Sequence, residues 1–184
     1  MQYKLRDYPQ FSACGLNCGL CPRYYTKGSS RCPGCGGEGF TEGHCGCSIL
    51  GCCERHGVEY CFLCAEYPCK KYEGVDLTDS FISHKNQFKD MDKAKEIGME
   101  AYKAELDEKI RVLESLLAHY DDGRKKSFFC IAVNLLEPED VHTVMEQIAG
   151  ETLPEMSLKE KAATASRLFE EMAVRRDISL KLRK

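Results

Sequence analysis

Cysteine carries the chemistry that this sequence advertises. In "CGLNCGLCPRY", Cys14, Cys18 and Cys21 stand in a Cys-x3-Cys-x2-Cys pattern, a spacing that lets three thiolates meet at an iron-sulfur cluster or form one corner of a zinc site. "CPGC" holds Cys32 and Cys35 around Pro33 and Gly34, a tight turn on which two thiolates converge. "HCGC" repeats that gap with His44 and Cys47 and has Cys45 between them. The two turns make one tetrahedral set, Cys32, Cys35 and Cys47 with either His44 or Cys45. In "CFLCAEYPC", Cys61 and Cys64 form another Cys-x2-Cys turn and Cys69 follows Pro68, while "CC" upstream offers Cys52 and Cys53. The expected second set is Cys52, Cys61, Cys64 and Cys69. Cys14, Cys18 and Cys21 then take a fourth partner from Cys53, His56 or the unused member of the His44/Cys45 pair, or leave a position open.

Distribution decides between metal and disulfides. Of 13 cysteines, 12 lie between Cys14 and Cys69 and the other is Cys130. "MQYKLRDYPQF" has no apolar core of signal-peptide length, and no apolar run approaches the roughly 18 residues of a membrane span. A cytoplasmic protein is expected, and there close-spaced thiols stay reduced and bind metal. The odd cysteine total agrees with that reading.

Zinc is the expected metal, as two or three ions in structural sites, because paired Cys-x2-Cys turns suit tetrahedral thiolate coordination. The alternative is an iron-sulfur redox enzyme, or one resembling the radical-SAM enzymes, which would use Cys14, Cys18 and Cys21. "GGE" at residues 36–38 resembles the motif with which those enzymes hold the amino group of S-adenosylmethionine. Their barrel needs alternating strands and helices after the cluster loop, whereas here more cysteine turns follow.

Zinc turns often serve nucleic-acid binding, but charge argues against it. Net charge is −3, residues 1–74 hold 8 Lys or Arg against 7 Asp or Glu, and each zinc held by four thiolates adds negative charge. No cationic groove is indicated. A protein partner or self-association is expected instead, with no membrane partner. Glu54, Glu59 and Glu66 fall in no catalytic motif such as His-Glu-x-x-His, and all-sulfur zinc sites are usually closed, so no catalytic residue is assigned. Cys130 in "FFCIAV" reads as a small core hydrophobe.

The segments "CGLNCGLCPRY", "CPGC" and "CSILGCCERHGVEYCFLCAEYPCKKYE" resemble the cysteine-rich family named for domain of unknown function 3795, over roughly residues 12–74. The family is presumed to bind zinc and its activity is unassigned. The resemblance implies ligands at Cys14, Cys18, Cys21, Cys32, Cys35, Cys47, Cys52, Cys61, Cys64 and Cys69. His44 departs from it, since members commonly begin a Cys-x2-Cys pair there.

The elements that must position these thiols change character along the chain. Residues 1–74 are short of aliphatic side chains and cannot bury enough apolar surface alone. The expected fold class is therefore α+β: a small metal-ordered cysteine-rich domain with little regular structure at 1–74, followed by a mainly α-helical domain at 75–184. Leu106, Ile110, Leu113, Leu117 and Tyr120 mark a helix face ending near Gly123, and Gly98 divides the pattern. "SFFCIAVNLL" is buried as helix or strand. Pro138 opens a helix carrying Val141, Val144, Met145 and Ile148, with its stop at Gly150. Ser157 and Glu160 have capping-box spacing before Ala162, Ala165, Leu168, Phe169 and Met172. "DISLKLRK" alternates, as a short strand or a frayed tail.

Overall fold

The computed structural model describes residues 4–43 and 47–184. The expectations for His44 and Cys45 lie outside the described residues. Helices follow in the order α1 (Phe40–Gly43), α2 (Ser48–Arg55), α3 (Gln87–Ile97), α4 (Met99–His119), α5 (Lys126–Leu135), α6 (Pro138–Glu151) and α7 (Leu158–Arg175), with short 3-10 turns at Cys18–Leu20, Gly28–Ser30, Cys61–Leu63 and Lys70–Tyr72. The α+β expectation is corrected: among the described residues every regular element is helical and no strand forms.

Two segments admitted strands on pattern alone, and each has a physical reason for not being one. "SFFCIAVNLL" forms α5, with every residue from Phe129 to Leu136 buried. A helix apolar all round shows no period in its sequence, because every face meets core. The tail "DISLKLRK" has extended character but no neighbouring strand. It closes on one carboxylate instead: the Arg183 amide and Nη2 each donate to Asp79 at 2.8 Å, and the Asp79 amide donates back to the Arg183 carbonyl at 3.1 Å.

The chain divides into two compact units, Met1–Leu106 with Leu182–Lys184 and Asp107–Lys181. The division falls within α4.

Residues 6–13 are the spine of the first unit. The Arg6 amide donates to the Gly36 carbonyl, and the amides of Cys35, Gly19 and Cys61 donate to the carbonyls of Pro9, Gln10 and Ala13. Three of the cysteine turns are thereby tied to one irregular segment of bends and turns, which satisfies backbone groups that no sheet or helix would otherwise pair. Phe11 is fully buried, with its ring centroid 5.5 Å from that of Tyr60 and 4.7 Å from that of Tyr102. α3 packs against the Cys61–Leu63 turn. Buried Asn17 joins helix and loop, donating to Asp90 at 2.8 Å and accepting from the Tyr102 hydroxyl at 2.9 Å.

In the second unit, α7 packs on α5 and α6. Ala162, Ala165, Leu168, Phe169 and Met172 all turn inward, and the capping box at Ser157 and Glu160 is closed in both directions. Pro138 occupies the first turn of α6, and the helix runs one residue beyond Gly150. Lys109 Nζ donates to the Leu136 carbonyl at 2.8 Å, occupying an acceptor at the C-terminal end of α5. No helix among the described residues is long and apolar enough to cross a membrane.

Candidate metal centre

Two of the Cys-x2-Cys spacings fold identically. Cys18–Leu20 and Cys61–Leu63 are single 3-10 turns, and the amides of Cys21 and Cys64 close them by donating to the carbonyls of Cys18 and Cys61 at 3.1 and 2.9 Å. The closing cysteine is extended in each case, which ends the turn. The "CPGC" turn depends on Gly34, at φ +87°, where a Cβ would collide with the Pro9 carbonyl. Cys47 caps α2, its sulfur accepting from the Leu50 amide at 3.4 Å.

The turns bring the thiols together in two neighbourhoods. Cys14, Cys18, Cys35 and Cys47 lie near enough that their thiolates would repel one another, and Cys21 neighbours both Cys18 and Cys32. Burial pushes the Cys14 thiol up to about 12, reinforced by Cys35 and Cys47 and opposed by a hydrogen bond with Ser12. Burial likewise raises Cys18, Cys21 and Cys35. A metal ion would have to displace these tightly held protons, so its binding would strengthen as pH rises.

The second neighbourhood surrounds a small cavity of about 30 Å³ lined by Cys52, Cys53, His56, Cys61, Cys64 and Cys69. That is room for a single ion or water. Helical geometry separates the adjacent cysteines of α2: Cys53 is buried at 3% exposure with its sulfur 3.4 Å from that of Cys61, while Cys52 is half-buried. The Cys64 sulfur stands 4.0 Å from His56 Nδ1. The Cys53 and Cys61 sulfurs are within hydrogen-bond distance of each other. The hydrogen bond from Cys53 holds the Cys61 thiol below its ordinary range against its burial, helped by the Tyr72 hydroxyl and the Lys71 ammonium, and the same hydrogen bond pushes Cys53 up.

The chemistry of this donor set fits a thiophilic metal. Zinc with sulfur ligands at about 2.3 Å spaces adjacent sulfurs about 3.8 Å apart, close to the Cys53–Cys61 separation, and no disulfide joins the described cysteines. Among the described residues no three Cys, His, Asp or Glu side chains are arranged as a ready metal-holding group. Cys130 is distant in sequence and sits in the α5 core at 2% exposure.

The neighbourhoods were only half visible in the spacing. The i, i+3 relation of Leu50 and Cys53 on α2 is the signal that would have turned Cys53 inward. No comparable signal joins Cys14 and Cys18 to Cys35, because residues 9 and 10 make that connection through backbone hydrogen bonds from Cys35 and Gly19. Residues 10–74 match the family described as "Protein of unknown function (DUF3795)". No curated protein and no solved structure matches the chain.

Proposed function

We propose that the cysteine unit is a zinc-ordered structural module whose task is to present a surface to a protein partner. The observation that supports it is the gathering of buried thiols from separate turns of the chain without a disulfide among the described residues. Cys14, Cys18, Cys35 and Cys47 would hold one ion, and Cys53, Cys61, Cys64 and Cys69 a second. Zinc supplies folding free energy by replacing thiol protons and cross-linking turns that have little aliphatic core. Exposed Leu63, Leu77 and Phe81 give the same unit apolar contact points, with exposures of 55, 71 and 61%.

Elemental analysis of anaerobically purified protein tests the metal. Two zinc ions per chain without acid-labile sulfide are expected; about four irons with matching sulfide, the content of one cubane cluster, would replace this reading with the iron-sulfur one. Ligand choice is tested by Cys53→Ser, expected to lose one zinc equivalent, against Cys52→Ser, expected to retain both. The reverse result would move the second site to Cys52.

A further inference from the structure

Arg6 is enclosed by the first unit, with a side chain only 6% exposed. Nη1 donates to the carbonyls of Phe11 at 2.7 Å and Cys35 at 3.3 Å, and the guanidinium lies over the Tyr60 ring, 4.7 Å from its centroid. Gly36, at φ +71°, makes room for it, since a Cβ there would approach Arg6 Cγ and Cδ to 2.9 Å. Nε and Nη2 are buried and make no hydrogen bond of ordinary geometry, with the Cys35 thiol and the Tyr60 hydroxyl as their side-chain neighbours. Glu59 Oε1 stands 3.6 Å from Nη2, beyond ordinary hydrogen-bond length. A buried cation with idle donors is costly, and an arriving oxyanion relieves that cost.

Arg6 also lines a cleft of about 630 Å³, within the size range of small-molecule sites. Leu5, Leu50 and Val58 give the cleft apolar wall, and the exposed carboxylates of Asp7, Glu54 and Glu59 lie along it. A simple anion would meet those three carboxylates, and a simple cation would meet Arg6 and Lys4, which also lines the cleft. A molecule carrying both charges on a short apolar body satisfies all three features. We propose that this cleft binds a free α-amino acid with an aliphatic side chain, its carboxylate on Arg6, its ammonium on Glu59 with Glu54 nearby, and its side chain against Leu50 and Val58. For the carboxylate to reach Nε and Nη2, Glu59 swings off the guanidinium and takes the ammonium. The proposal does not rest on the identity of the metal.

Calorimetric titration of the full chain, metal retained as purified, with three probes of one chain length decides it: norleucine, hexanoate and hexylamine. Norleucine is expected to bind one per chain, at least about tenfold tighter than either single-charge probe. Arg6→Lys and Glu59→Gln are each expected to weaken norleucine at least about fivefold, read at a temperature below the unfolding transition of each variant. Absence of norleucine binding at about 10 mM, equal binding of hexanoate or hexylamine, or wild-type affinity in Glu59→Gln would each overturn the proposal. The Glu59 variant decides the matter if Arg6→Lys does not fold.

Discussion

Gly15 shows how tightly single residues hold the first cysteine loop. Its φ is +92°, and a Cβ there would lie 2.5 Å from Met91 Cγ and 2.7 Å from the Gln87 carbonyl, both on α3. Across the same contact, Gln87 Nε2 donates to the Cys14 carbonyl at 2.7 Å. Gly15→Ala therefore adds left-handed strain to a backbone clash that cannot be relieved by a side-chain rotation, and is expected to cost about 2–4 kcal/mol in urea unfolding of the metal-loaded protein. Asp79 acts at the other end of the unit. Burial alone would raise its carboxyl, but the Arg183 side chain and amide, with the His84 amide, hold it down at about 2. A depressed carboxyl stabilises the fold fully above its unfolded value near pH 4, and loses that contribution as pH falls through about 2. The stability gap between wild type and Asp79→Asn is expected to be about 1 kcal/mol after solvent screening. It should stay flat from pH 7 to 4 and narrow below, as read from urea midpoints across that series. A gap that closes already between pH 7 and 5 would assign the effect to another group.

Helices whose ends carry their own chemistry were legible in the sequence. Ser157 and Glu160 announce α7, and the structure closes the box: the Glu160 amide donates to Ser157 Oγ at 3.3 Å and the Ser157 amide to Glu160 Oε2 at 2.8 Å. Ser157→Ala is expected to cost about 1 kcal/mol, seen as faster amide exchange in the first turn of α7 with the rest of that helix unchanged. Loss of protection throughout α7 would mean that the cap nucleates the whole helix. Other elements were less legible, each for a local reason. Along α4 the buried face runs through Leu106, Leu113 and Leu116, and Leu117 is only half-buried. Two adjacent leucines satisfy the same period, and only packing chooses between them. α5 hid its type because burial on every side erases periodicity. The tail alternates like a strand, yet the partner it meets is the Asp79 carboxylate and not another strand. The cysteine turns were readable as turns, since Cys-x2-Cys folds locally, but their grouping depends on residues 6–13, whose own sequence carries no metal signature.

At the scale of the molecule, the two units are built on different physical terms. The second buries Leu113, Leu116, Phe129, Val133, Leu136, Ile148 and Phe169 almost completely. It adds a paired contact from Arg176 to Asp140, with Nε donating at 3.0 and 2.9 Å and Nη2 at 2.6 Å. Its core is aliphatic and aromatic and contains a single cysteine, so its stability has no reason to follow metal. The first unit carries its cysteines on short turns and on the two-turn helix α2, tied to residues 6–13 by a few backbone hydrogen bonds. If metal orders it, a chelator should act on one unit alone. Treatment of the full chain with a strong zinc chelator under reducing conditions is expected to abolish amide-exchange protection across residues 10–74. Protection in α5, α6 and α7 should stay within about threefold of the loaded protein, because structural zinc contributes folding free energy only where its ligands lie. Far-ultraviolet circular dichroism should fall only in part, since those three helices persist. Retained protection across residues 10–74 after complete metal removal would show that backbone and aromatic packing suffice to fold the cysteine unit, and would end the structural-zinc reading. Loss of protection in both units together would keep that reading but make the second unit dependent on the first.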